Sequence, residues 1–346
     1  MESSLSRILI VGMGSIGKRY ISIINELFPE ILIAVLRHQK CSEQFIMVGV
    51  DYCLSSIEEA LEFNPQAAII ANPASHHLNT AIPLAKAGVH LLIEKPISIT
   101  CEGLDNLIHI CDEKNITLMT GYNLRFLPSL QAFRRFLDEK KVGKALSVRA
   151  EVGQHLPNWR TDSDYRNTVS AQKKLGGGVL LELSHEFDYL LWLFGQVDWV
   201  EARISKQSNF EIDVEDTAYI MFGFDKDSCG YQLTASLNMD FIRHDTTRSC
   251  IVIGEEGSLK WDAMNGSVEV FKKNGSEWET IFSDKPERNY TYEKEVQHFF
   301  LCIEDKAKPL ITGEEGKASI NVIDAIRHSS QNSKLVTLKR MIGNAP

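Results

Sequence analysis

Along residues 7–122, short apolar runs alternate with longer stretches whose apolar positions recur at helical spacing. This is the pattern of parallel strands joined by crossover helices. Strands are predicted at 8–11, 31–36, 67–71, 90–93 and 117–120, and helices at 18–27, 56–63, 79–87 and 101–114, the third stopped by Gly88. After about residue 124 the period shortens to two. In 231–239 the odd positions Leu233, Ala235, Leu237 and Met239 are apolar and the even ones polar, the mark of an antiparallel sheet with one buried face. Similar strands are predicted at 145–152, 199–205, 217–224, 249–253, 258–262 and 268–271, with helices at 292–304 and 314–331 covering one face. Residues 179–195 read as one amphipathic helix whose apolar stripe is Leu180, Leu183, Phe187, Leu190, Leu191 and Phe194.

Chemistry enters at the first strand. Gly12-Met13-Gly14-Ser15-Ile16-Gly17 follows it directly and opens the first helix. The first glycine permits a tight turn, the second lets backbone N–H groups approach a pyrophosphate, and the third lets the helix pack on the strand. A dinucleotide site is expected there. The end of the second strand selects the ribose, since an acid at that place would bind the 2′-hydroxyl of NAD. Here the chain runs into Arg37-His38-Gln39-Lys40, and a guanidinium suits a 2′-phosphate, so NADP is favoured. Arg37 is also compatible with stacking on adenine, which leaves NAD open.

Two further blocks carry candidate chemistry. Glu94-Lys95-Pro96 closes the strand at 90–93, where such sheets hold ligands, and a lysine there can favour a substrate alkoxide. The alternative is a surface salt pair. Gly176-Gly177-Gly178 precedes a segment in which Glu182 and Asp188 each stand three residues from His185, so on a continuous helix both carboxylates would flank the imidazole. A polar, solvated helix face is the alternative.

Composition narrows the classes. At 346 residues the chain is expected to hold two domains, a dinucleotide-binding domain at 1–124 and an α+β domain at 125–346 with a large, mostly antiparallel open sheet. A net charge of −9 argues against a duplex nucleic-acid binder. The charged residues within 179–195 argue against a membrane span. The start lacks a basic region leading into an apolar core, so a cytoplasmic protein is expected. Seven cysteines, widely spaced and without a Cys-x-x-Cys pair, are expected as reduced thiols, and no metal site is expected.

These blocks, in order with Asn72-Pro73-Ala74-Ser75-His76-His77 and Gly121-Tyr122-Asn123-Leu124-Arg125-Phe126-Leu127-Pro128, resemble the Gfo/Idh/MocA family of oxidoreductases over nearly the whole chain. The resemblance implies a Rossmann domain followed by the open-sheet domain. It implies cofactor contacts from Gly12, Met13, Gly14, Ser15, Ile16, Gly17, Arg37, His38, Asn72, Pro73, His77, Glu94, Lys95 and Asn123. Lys95 matches the lysine that contacts the reacting hydroxyl, and His185 the acid/base; Glu182 and Asp188 are its candidate catalytic partners. Many members place an aspartate four residues before the histidine, where this chain has Leu181.

Arg125, Trp159, Arg160, Tyr165 and Arg166, with Lys95 and His185, are the candidate substrate contacts, because aromatic faces stack on sugars and arginines pair with carboxylate or phosphate. The implied activity is hydride transfer between NAD(P) and a sugar, cyclic polyol or nucleotide-linked sugar. A cofactor-binding regulator or sensor without turnover is the rival. Tyr290 and Lys294 match the spacing of the short-chain dehydrogenase pair but lie far past the nucleotide domain and are read as coincidence. The polar sheet face of Gln232, Thr234, Ser236 and Asn238 is a candidate surface for a homodimer or homotetramer, solvent exposure being the simpler alternative.

Overall fold

The computed structural model describes residues 5–37, 48–159 and 164–338. The chain divides into two compact units, residues 1–123 with 288–320, and 124–287 with 321–346. In the first, five of six parallel strands follow the apolar runs, β1 (Arg7–Val11), β2 (Leu32–Leu36), β4 (Ala67–Ile70), β5 (His90–Glu94) and β6 (Leu118–Gly121), and the short β3 (Tyr52–Leu54) was not predicted. Their order, β3-β2-β1-β4-β5-β6, is that of a doubly wound dinucleotide-binding sheet. The strands are apolar on both faces because helices cover both: Ile8, Leu9, Ile10, Ile69, Ile70, Leu91, Leu92 and Ile93 are fully buried. The crossovers are α1 (Ser15–Leu27), α2 (Ile57–Glu62), α3 (His77–Lys86) and α4 (Leu104–Glu113). Cys53 on β3 is disulfide-bonded, which departs from the expectation of reduced thiols, whereas Cys101, Cys111, Cys229, Cys250 and Cys302 are in no disulfide.

The second unit begins with α5 (Pro128–Asp138), which the strand-dominated pattern did not predict. Strands β7 (Ala145–Gly153), β8 (Val197–Ser205), β9 (Thr217–Phe224), β10 (Thr234–Asp240), β11 (Thr247–Gly254), β12 (Gly257–Asp262), β13 (Ser267–Lys272) and β14 (Glu279–Ser283) form its sheet with the short β15 (Val336–Thr337). The order is β14-β13-β12-β11-β7-β10-β9-β8-β15, antiparallel except where β7 and β10 pair in parallel. The alternation of β10 is realised, with Ala235, Leu237 and Met239 buried and Asn238 exposed. Trp261 is wholly buried, its ring N–H donating to Ser129 Oγ at 3.0 Å.

Residues 179–195 are not one helix. They form α6 (Val179–Glu182) and α7 (His185–Phe194), broken at Leu183 and Ser184. Gly178 enters α6 at φ +103° and ψ 156°, a region open only to glycine, and a side chain there would collide with the Glu215 carboxylate.

Residues 288–320 depart from a single cut at 124, because α8 (Tyr290–Ile303) packs with the first unit and not on the antiparallel sheet. Its Phe300 ring lies 4.7 Å from Phe28, and Tyr292 lies 5.7 Å from Tyr20 on α1. The last helix, α9 (Gly313–Asn332), ends in the second unit, where Ser329 and Ser330 accept the backbone N–H groups of Ala202 and Ile204 on β8.

Candidate functional site

At the carboxyl end of β1 the chain turns through Gly12, whose φ of +96° only glycine adopts freely. A Cβ there would stand 2.8 Å from Ala71 O and Asn72 N. Gly17 in turn presses on the Gly12 carbonyl, which brings α1 down on the strand. Gly14 differs from both: it is exposed, its φ is an ordinary −71°, and nothing lies within 4 Å of where a Cβ would be. It caps α1 without a side chain, and no acid occupies the first turn, so the helix presents bare N–H groups and its positive end to this open space. That is an anion site of the kind a pyrophosphate fills.

Beside it lies a cleft of about 370 Å³ lined by Gly12, Met13, Arg37, Asn72, Pro73 and Thr80, together with Ser55, Ser56 and Ile57. The residues expected from β1, β2 and the turn after β4 therefore meet in one place. Asn72 donates to Thr80 Oγ1 at 3.3 Å, while its Oδ1 is buried without a hydrogen-bond partner among the described residues. A buried polar atom left this way fits a site that a ligand completes. Ser55 and Ser56 were not anticipated. Their signal was present as a capping box: Ser56 Oγ accepts Glu59 N–H at 3.2 Å, and the Glu59 carboxylate accepts Ser55 N–H at 2.7 Å. His38 and Arg160 lie outside the described residues.

His77, expected among the cofactor contacts, is 1% exposed and faces protein on both sides. Its Nδ1 lies 3.0 Å from Pro96 O and its Nε2 2.9 Å from Asn72 O. Burial pushes its pKa down to about 4, outweighing the upward pull of those carbonyls. The neutral ring carries one N–H, so it donates to one of these carbonyls and packs against the other, between the turn after β4 and the turn after β5.

Glu94 also points inward. Its Oε1 accepts the Tyr20 hydroxyl at 2.7 Å and its Oε2 the Lys95 backbone N–H at 3.1 Å. The same Tyr20 hydroxyl lies 2.7 Å from Glu295 Oε2 on α8. Burial raises the pKa of both glutamates and of Tyr20, which the charges of Glu295 and Glu94 raise further. Sequence reasoning missed Tyr20 and Glu295, although Glu295 is an acid within the buried stripe of Val296, Phe299 and Phe300. Lys95 itself is half-buried at the carboxyl end of β5 and joins Pro96 through a cis peptide. Asn123 donates to Thr291 Oγ1 at 2.8 Å.

In the second unit the helix break puts Glu182 and His185 on different helices, while Asp188 stays three residues along α7 from His185. Glu182 ends α6 and its carboxylate accepts Ser170 Oγ at 2.6 Å. Asp188 is buried in a bidentate pair with Arg125, Nε to Oδ2 at 3.0 Å and Nη2 to Oδ1 at 2.7 Å, so Arg125 spends those donors on protein. His185 opens α7 and is 9% exposed, next to Glu186, which is wholly buried and accepts Arg248 Nε at 2.7 Å. Among the other candidates, Arg166 is divided between Asp164 and Glu211 at the surface, which hold it firmly protonated. Tyr165 accepts Glu211 N–H at 3.2 Å, and Trp159 packs edge-on to Phe241. The Tyr290 and Lys294 pair is a cation–ring contact, with the lysine exposed on α8.

Fold and cleft define a dinucleotide-binding oxidoreductase. The family described as "Oxidoreductase family, NAD-binding Rossmann fold" matches residues 6–122, and "Oxidoreductase family, C-terminal alpha/beta domain" matches 134–338. The chain belongs to the Gfo/Idh/MocA oxidoreductase family, and it is an NAD(P)-dependent dehydrogenase acting on CH–OH groups. It is similar to myo-inositol 2-dehydrogenase of Thermotoga maritima, 24% identical over 97% of this chain and all of that one. D-xylose 1-dehydrogenase [NADP(+)] of Haloarcula marismortui is 27% identical over 79% of this chain and 74% of its own. The structure of a levoglucosan dehydrogenase in complex with NADH and L-sorbose shares the fold, with a TM-score of 0.82 at 20% identity, covering 96% of this chain and 98% of that one. No helix among the described residues is long and apolar enough to cross a membrane.

Two outcomes are expected. Gly14→Ala should leave the urea midpoint unchanged, since the methyl meets no protein atom, yet weaken dinucleotide binding by about tenfold or more in calorimetry; unchanged binding would place the pyrophosphate elsewhere. For His77, the unfolded chain takes up a proton near 6.5 and the folded one near 4, so its contribution is complete above about pH 6.5 and is lost as pH falls toward 4. The loss should reach about 3 kcal/mol and be smaller in His77→Gln, read from urea midpoints at neutral and acid pH.

Proposed function

We propose that the protein is an NADP-preferring dehydrogenase of a sugar, cyclic polyol or nucleotide-linked sugar, with Lys95 contacting the reacting hydroxyl. The observation that carries this reading is the cleft. Its glycine turn leaves an open anion site, Arg37 lines it where NAD enzymes carry an acid, and Lys95 ends a strand of the same sheet. Gly12, Gly14 and the first turn of α1 would hold the pyrophosphate, Arg37 the 2′-phosphate, and Asn72 and Pro73 the part beyond. When bound, the nicotinamide supplies a hydride acceptor or donor.

The chain's own work is electrostatic and protonic. The Lys95 ammonium steadies the alkoxide as it develops, and in the reverse direction it polarises the carbonyl. The family resemblance of the Gly-Gly-Gly and His-x-x-Asp segment supports His185 as the group that takes the hydroxyl proton. With Asp188 paired to Arg125 and Glu182 to Ser170, these carboxylates support the fold around His185; neither is assigned a proton-transfer step.

Lys95→Met should keep cofactor binding within about twofold and lower kcat by at least about a hundredfold on an oxidisable sugar or polyol, followed by absorbance of the reduced nicotinamide. Normal turnover of that variant removes Lys95 from the chemistry. In calorimetry the protein should bind NADPH more tightly than NADH, and Arg37→Asp should invert the order, since a 2′-phosphate contact is worth about tenfold or more. Tighter NADH binding by the unaltered protein would overturn the assignment of Arg37.

A further inference from the structure

Two buried carboxylates converge on one phenol. Glu295 is 0% exposed and Glu94 7%, and each places an oxygen 2.7 Å from Tyr20 Oη. A phenol has one proton and can donate to only one of them. Two anions at hydrogen-bond distance from the same oxygen, in a buried site, would repel through a low dielectric. The second short contact therefore needs a proton on one of the carboxyls.

The surroundings decide which. Glu94 accepts two donors, Tyr20 O–H on Oε1 and Lys95 N–H on Oε2, and the charges of Lys95 and Arg19 favour its ionised form. Glu295 has Tyr20 alone, and its Oε1 is buried with no hydrogen-bond partner among the described residues. A bare oxygen is tolerable on a neutral acid and costly on a carboxylate. The groups facing Glu295 are Tyr20 from α1, Glu94 from β5 and Tyr292 on its own helix.

We propose that Glu295 is held as the neutral acid and is a positioning residue for Lys95, acting through a directed chain of hydrogen bonds. Glu295 O–H donates to Tyr20 Oη, Tyr20 O–H donates to Glu94 Oε1, and Lys95 N–H donates to Glu94 Oε2. The pair of carboxyls thus carries a single negative charge, and that charge lies on the residue whose oxygen fixes the Lys95 backbone. Burial and the Glu94 charge both raise the Glu295 pKa, in keeping with this order. The inference rests on the reading of Lys95 given above as far as activity is concerned, but the protonation state stands apart from it.

The test uses the full chain carrying 13C-labelled glutamate. Infrared difference spectra between the unaltered protein and Glu295→Gln at neutral pH should show the carbonyl stretch of a protonated carboxylic acid that the variant lacks. Its absence overturns the proposal whatever Lys95 does. In kinetics Glu295→Gln, whose amide N–H still donates to Tyr20, should hold kcat within about twofold, whereas Glu295→Leu should lower kcat about tenfold with little change in cofactor KM. A Gln variant as impaired as the Leu variant would mean that Glu295 works as an anion and would overturn the proposal. If Glu295→Leu does not fold, the infrared result and the Gln kinetics still decide.

Discussion

The candidate nucleotide site depends on one buried imidazole. A parallel sheet ends in unpaired loops at its carboxyl edge, and those loops must be held if the edge is to be a site and not a fringe. His77 is packed between the carbonyls of Asn72 and Pro96 and donates its one N–H to one of them. On one side of it, Asn72 and Pro73 line the cleft; on the other, Lys95 ends β5. The ring works as a neutral bracket because its burial outweighs two carbonyls that would draw a proton onto it. A solvated histidine at the same place would change charge near neutrality and could not serve equally across that range.

The same economy governs the acids. Ionised carboxylates are rarely buried unless donors surround them. Within the first unit, Glu94 accepts the Tyr20 hydroxyl and the Lys95 N–H whereas Glu295 has only the shared phenol oxygen beside it, and in the proposed chain that difference separates a carboxylate from an acid. Within the second unit, Asp188 and Glu186 are each buried against an arginine, Arg125 and Arg248. Those pairs tie α7, and with it His185, to Arg125 and to Arg248 on β11. Charge on the helix is structural capital here, held by partners that come from distant parts of the chain.

Family membership makes the chain an oxidoreductase with an NAD-binding Rossmann domain. The cleft is built of backbone, glycines and small polar groups, which any NAD(P) enzyme of this architecture needs. Arg37 follows β2 and lines the cleft at the position that reads the ribose in dinucleotide sites of this architecture. The aromatic and charged residues at 154–166 belong instead to the second unit, where Trp159 and Tyr165 sit against Phe241 and Phe210.

By itself the sequence determined what depends on neighbours along the chain: the apolar runs of five of the six parallel strands, the alternation of β10, the glycine turn after β1 and the missing acid after β2. Local periodicity and backbone permission are written in a few consecutive residues. It misread 179–195 as one helix, because the break at Leu183 and Ser184 comes with Glu215, thirty or more residues away, accepting Leu180 N–H at the start of α6. The return of 288–320 to the first unit, the parallel pairing of β7 with β10, and the partners of His77, Asp188 and Glu295 were likewise decided only by tertiary structure. Each requires groups far apart in sequence to share one dry volume, where a proton or charge is settled by what else is buried there, and no local pattern records that.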